Sequence, residues 1–176
     1  MQILKRHNER ASETSGEIAH LRKVSLFQDI AHDEEALRQL SLATRLERYG
    51  PGREIVREGE PGSEMYILVE GTASVFKRTI EGEMYRVAIL RAEAHSFFGE
   101  GALLDADARS ATIRADSECS CLVLDRCSFE TFGKKFPHWA FPVLARIARA
   151  VLERLRKTNE DLTLLYNALV TEIRGQ

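Results

Sequence analysis

The stretch EMYILVEGTASVFKRTIEGEMYRVAIL, residues 64–90, decides the fold. Gly71 and the pair Glu81-Gly82 cut it into three apolar runs, each short enough for a strand. EMYILVEG (64–71) reads as a buried strand that stops at Gly71. TASVFKRTI and EMYRVAIL flank Glu81-Gly82, which reads as the tip of a hairpin. The punctuation continues outward: eight of the eleven glycines fall between Gly50 and Gly101, along with the turn pairs Pro51-Gly52 and Pro61-Gly62. Further on, SATIRA (110–115) and ECSCLVLD (118–125) have the same short apolar form. Short strands with glycine-rich corners predict an antiparallel β-roll of five to eight strands, jelly-roll-like, a double-stranded β-helix.

The flanks follow a different rhythm, so the fold class is α+β. Residues 2–23 are rich in Glu, Arg and Lys and predict one or two short helices. DEEALRQLSLAT (33–44) opens with acids suited to a helix N-terminus and spaces Ala36, Leu37 and Leu40 on one helical face. No proline follows Pro142 and no glycine intervenes before Gly175, which predicts a long C-terminal helix. Along it Leu144, Ala148, Val151, Leu155, Thr158, Leu162, Leu165 and Leu169 alternate spacings of four and three, the repeat that pairs helices side by side. A seam of that length outruns a small β-roll, so homodimerisation through this helix is expected. Thr158 to Asp161 also fits a capping box that would split the helix, but the seam keeps its register across it. The expected parts are an N-terminal helical segment (1–24), the β-roll with short helices (25–136) and the C-terminal helix (137–176).

Composition narrows the function. With 176 residues the chain can bury a sizeable core without disulfides, and three cysteines are an odd count for a disulfide framework. A net charge of −2 argues against a dedicated nucleic-acid binder. Neither a secretory leader nor a membrane span is legible, and a soluble cytoplasmic protein is expected.

FFGEGALLDADARSATI, residues 97–113, holds the chemistry. It sets Glu100 and Arg109 nine positions apart among small and apolar residues. Each charge needs a partner if buried, and the simplest arrangement is a structural salt bridge between the two. Gly99 and Gly101 allow a backbone to approach a ligand, EGALL can form one helical turn, Arg109 offers a planar fork of donors, and Glu100 is an acceptor. Together they suit a compact phosphorylated sugar. Five scattered histidines and Cys119 with Cys121 on one side of a strand give no metal cluster, so no metal is expected. No nucleophile–base pair stands out, so an enzyme is not expected. Arg146, Arg149, Arg154, Arg156 and Lys157 read as a solvated basic run.

FGEGALLDADARSAT resembles the phosphate-binding cassette of the cyclic nucleotide-binding domain family, of the catabolite activator and cyclic-AMP-dependent kinase regulatory-subunit type. IVREGEPGSEMYILVEGTASV resembles that family's strand–turn–strand segment, with Gly59, Gly62 and Gly71 at its corners. The resemblance runs from about Leu26 to Thr158 and implies a β-roll with N-terminal helices and two C-terminal helices. It implies that Glu100 accepts the ribose 2′-hydroxyl and that Gly99 makes room for the ribose. Arg109 would neutralise the cyclic phosphate with the amides of Ala102 and Ser110, and Gly101 and Ala111 would complete the lining. Thr158 and Asn159 on the C-terminal helix would contact the base. Gly101 departs from the family, which has a branched apolar residue there.

The resemblance implies a regulatory sensor that binds cyclic AMP ahead of cyclic GMP and signals to an effector protein by moving its C-terminal helix. The alternatives are a dimerisation scaffold that does not respond to nucleotide, or a truncated DNA-binding regulator. Seventeen residues follow Asn159, too few for a helix-turn-helix module, so nucleic acid is not an expected partner; with no spanning segment legible, neither is a membrane.

Overall fold

A computed structural model describes residues 15–105 and 108–174. Eight strands form two four-stranded antiparallel sheets. The first runs in the order β1 (Thr44–Tyr49), β8 (Cys119–Asp125), β3 (Glu64–Glu70), β6 (Phe97–Phe98). The second runs β2 (Glu54–Val56), β7 (Thr112–Ala115), β4 (Thr72–Arg78), β5 (Met84–Arg91). β4 and β5 are the hairpin expected around Glu81-Gly82.

The apolar run in β3 is continuous because both faces of its sheet are covered. Tyr66 and Leu68 point into the core between the sheets, where they meet Ala73, Phe98, Ile113 and Val123. Met65 and Ile67 point the other way, into a second core beneath the helices. β8 divides in the same manner, with Cys121 and Val123 inward and Leu122 and Leu124 toward the helices. Period two on a doubly buried sheet makes every position apolar, so the alternation disappears from the sequence.

Helices cover that outer face. α1 occupies 15–21 of the described residues, a 3-10 helix spans Ser25–Ile30, and α2 spans Glu34–Leu42. The remainder of the helical segment expected over 2–23 lies partly outside the described residues. Asp33 caps α2, accepting from Ala36 N at 3.0 Å. Its second carboxylate oxygen accepts from Trp139 Nε1 at 3.0 Å, which ties α2 to the C-terminal helices.

Those are α3 (Arg126–Lys135) and α4 (Pro137–Arg174). Asp125 starts α3 by accepting from the backbone and hydroxyl of Ser128, at 2.9 and 2.8 Å. α4 opens on Pro137, a residue suited to the first helical turn, and runs 38 residues without a break. It passes straight through Thr158–Asp161, so the capping box is not used there. Its first half packs through Ala140, Val143 and Ile147, and Arg146 reaches Asp29 with both ends of its guanidinium, at 2.7 and 2.5 Å. From Leu152 to Arg174 every residue except Val170 is exposed. No helix among the described residues is long and apolar enough to cross a membrane.

Burial separates the cysteines chemically. It pushes the Cys121 thiol up to about 12 and raises Cys119 as well, while Cys127 at the start of α3 is exposed. A thiol reagent at pH 8 is therefore expected to modify Cys127 alone in the folded protein and all three cysteines in denaturant, counted by intact-mass spectrometry.

Candidate functional site

Arg109 is placed by its backbone before its side chain. Its N–H donates to the Glu60 carbonyl at 2.8 Å, and its own carbonyl accepts from Gly59 N at 2.9 Å, so it is pinned to the corner that precedes β3. The guanidinium then lies across the start of that strand. Nη1 donates to the Glu64 carbonyl at 2.7 Å, and the Glu64 carboxylate is 4.0 Å from Nη2. The cation stands 5.7 Å from the centre of the Tyr66 ring, whose buried phenol is pushed to a higher pKa by desolvation. Two glycines make this possible. A Cβ on Gly62 would run into the guanidinium, and one on Gly99 would come within 2.7 Å of Nη1. Gly99 also has φ 74°, a left-handed turn that glycine adopts without cost.

That turn sends the chain into a single 3-10 turn, Glu100–Leu103. Glu100 is 2% exposed. It does not pair with Arg109, as the simplest reading of the two charges would have it. Its Oε1 meets Arg154 Nη1 of α4 at 2.6 Å, and its Oε2 is buried with no hydrogen-bond partner. Arg154 also spreads over the Phe97 ring, 5.6 Å from its centre. Leu103, at the end of the turn, is buried in the same core as Val143 and Ile147 of α4. Arg126 at the head of α3 donates twice to the Ala102 carbonyl, at 2.9 and 2.6 Å. The turn is thus fastened to both C-terminal helices.

Two adjoining cavities open here. One, about 320 Å³, is mainly apolar and lies over Val56, Val75, Ala88, Leu90 and Ile113, with Lys77 at its edge. The other, about 460 Å³, is bordered by Glu100, Gly101, Ala102, Asp105 and Val151. Gly99, Arg109, Ser110 and Arg154 border both. A slot lined mainly by apolar side chains thus adjoins a cradle that holds a carboxylate, and a guanidinium borders both.

The sequence-selected residues divide in two. Gly99, Glu100, Gly101, Ala102, Arg109, Ser110 and Ala111 all border one or both cavities. Thr158 and Asn159 border neither. They are exposed on α4 one turn beyond Arg154, and the Thr158 hydroxyl donates to the Arg154 carbonyl at 3.0 Å. The Ala102 amide, expected to face a phosphate, donates to the Gly99 carbonyl at 3.1 Å in this conformation. Nothing lies within 4 Å of where a Gly101 Cβ would be, so no crowding demands the glycine there. Arg154 is the residue that sequence reasoning missed. It was counted in a solvated basic run, although it sits three positions from Val151 and four from Thr158, on the face of the seam that turns toward the roll. Among the described residues no group of three or more His, Cys, Asp or Glu side chains could hold a metal ion.

Arg154, which faces Glu100 and also donates to the Phe97 carbonyl at 3.5 Å, makes the last polar ties between α4 and the roll among the described residues. Glu100→Gln is therefore expected to speed amide hydrogen exchange in α4 around Val151–Leu155 in the ligand-free protein, while the segment around Arg146 keeps wild-type protection.

Residues 46–136, a little over half of the chain, match the family model of the cyclic nucleotide-binding domain. A curated relative, cGMP-dependent protein kinase 2 of Homo sapiens, is 38% identical over 115 residues, 65% of this chain; the matched segment spans 14% of the kinase. Among solved structures, the N-terminal domain of a transcriptional regulator from Streptomyces coelicolor A3(2) aligns with a TM-score of 0.68 at 27% identity, covering 81% of this chain and 93% of that one. The regulatory domain of Toxoplasma gondii PKA, crystallised with cAMP, aligns with a TM-score of 0.69 at 25% identity, covering 83% of this chain and 52% of that one. With a matching fold, a matching sequence model and a cradle of the corresponding polarity, the chain belongs to the cyclic nucleotide-binding domain family.

Proposed function

We propose that the chain is a regulatory sensor for a purine 3′,5′-cyclic mononucleotide, cyclic AMP as expected from the sequence or cyclic GMP, and that it signals through α4. The observation that carries this reading is the buried Glu100 Oε2, which has no partner. A buried carboxylate oxygen left unmatched is costly, and a ribose 2′-hydroxyl is the donor that would satisfy it. Arg109 would neutralise the cyclic phosphate, its fork already aimed by Gly62, Gly99 and the Glu64 carbonyl. Ser110 would add a hydroxyl, and Gly99, Gly101, Ala102 and Ala111 would close around the sugar phosphate.

The same carboxylate explains how a ligand reaches α4. A hydroxyl arriving at Glu100 shares or displaces Arg154, so ligand affinity and helix position become linked. Thr158 and Asn159 reach a base only when α4 moves over the cavity, or from the helix of a partner subunit. The 25–136 roll would then act as sensor and the 137–176 helix as output, with an effector protein reading the moved helix or the 1–24 segment. Leu155, Leu162, Leu165 and Leu169 are between 54% and 69% exposed in the single chain, which supports a homodimer closed along this seam.

A second reading is a dimerisation scaffold without nucleotide. It is favoured by Arg154, which already answers one oxygen of Glu100. Calorimetric titration separates the two. Wild type is expected to bind cyclic AMP or cyclic GMP with micromolar or tighter affinity, and Arg109→Ala to lose about 100-fold, the scale of a charge-assisted phosphate contact. No heat from either nucleotide would establish the scaffold instead. In sedimentation experiments the wild type is expected as a dimer and the Leu162→Glu/Leu169→Glu variant as a monomer.

A further inference from the structure

We propose that Lys77 reads the base, and that the site favours a purine with an oxygen at C6 over one with an amino group there. The inference rests on the cyclic nucleotide reading and concerns the half of the cavity that the ribose and phosphate do not use. The half that holds the Glu100 carboxylate, with Gly101 and Ala102, takes the sugar; Arg109 borders both halves and holds the phosphate between them. The apolar half is left for the flat ring, between Val56, Val75, Ala88, Leu90 and Ile113.

Lys77 also lines that half. It lies two residues after Val75 on β4, so both side chains emerge on the same face of the strand. It is only partly exposed, and its ammonium makes no ion pair and no side-chain hydrogen bond among the described residues. A lysine that lines an apolar cavity with its charge unmatched is placed to meet an acceptor. The other polar side chains on this half are Arg109, Arg154 and Ser110. Arg109 is committed to the phosphate, Arg154 borders the half that holds Glu100 as well and pairs with that acid in the ligand-free chain, and Ser110 can donate or accept.

No carboxylate or side-chain amide borders the apolar half. Side-chain donors therefore outnumber acceptors where the base must sit. Adenine shows an amino group beside N7, which would set donor against donor at C6. Guanine and hypoxanthine show O6 beside N7, two adjacent acceptors for one ammonium. This preference differs from the adenine contacts expected of Thr158 and Asn159, neither of which borders the cavity in this conformation.

Cyclic IMP isolates the point, because it differs from cyclic AMP only along the C6–N1 edge. Calorimetry on the full chain with cyclic AMP, cyclic IMP and cyclic GMP is expected to show the two oxo nucleotides binding at least tenfold tighter. Lys77→Met should weaken them to the level of cyclic AMP and leave cyclic AMP within twofold, while Lys77→Arg keeps the preference. Cyclic AMP binding as tightly as cyclic IMP to wild type overturns the proposal. So does a Lys77→Met variant that weakens all three equally, since that is a general pull on the phosphate. If Lys77→Met does not fold, the wild-type comparison and Lys77→Arg still decide. A silent titration with all three nucleotides overturns the sensor reading itself, and this inference with it.

Discussion

Burying the Glu100 carboxylate beside the mouth of the roll costs free energy that one ion pair to a half-exposed arginine offsets only in part. The residue is 2% exposed, whereas the side chain of Arg154 is 56% exposed. One oxygen is answered and the other is not. The rest of the site is arranged around that imbalance: a glycine turn that leads into the carboxylate, a second cation on the same cavity, and a helix that holds the cradle through one arginine, on the carboxylate and on the Phe97 carbonyl.

The C-terminal helix is therefore anchored unequally. Near its start it is held by apolar packing of Val143 and Ile147, by Trp139 on Asp33, and by both ends of the Arg146 guanidinium on Asp29. Among the described residues Arg154 is its last tie to the body, and the helix beyond is almost wholly exposed. A helix firmly seated at one end and held at the other through one half-exposed arginine can swing at modest cost. The turn at Glu100–Leu103 sits between the two regimes. Leu103 is packed into the same core as the seated end, and Glu100 grips the movable one.

Much of this was legible from residue patterns. Glycine corners and short apolar runs located β3, the β4–β5 hairpin, β7 and β8. Acids ahead of an apolar stripe located α2, and the absence of proline and glycine located α4. The cradle was legible too, because a glycine–acid–glycine turn and a later arginine carry their chemistry in residue type alone. α3 was implied only by the resemblance, with two C-terminal helices, because its start depends on Asp125 folding back onto Ser128; the role of Arg154 was not legible at all. A helix surface rich in arginine looks the same in sequence whether a given guanidinium faces water or a buried acid.

By itself, then, the sequence determined which segments could be strands or helices, and that one short loop held an acceptor and a cation suited to a phosphorylated sugar. Those properties are local: they follow from backbone freedom, side-chain charge and periodicity within a few residues. Only the tertiary structure decided that Glu100 faces Arg154 and not Arg109, that Thr158 and Asn159 stand clear of the cavity, and that Lys77 reaches its apolar half. Each is a meeting of segments far apart in the chain, set by how α4 crosses the roll and how the β4–β5 hairpin curls over it. No spacing along the polypeptide encodes such a crossing.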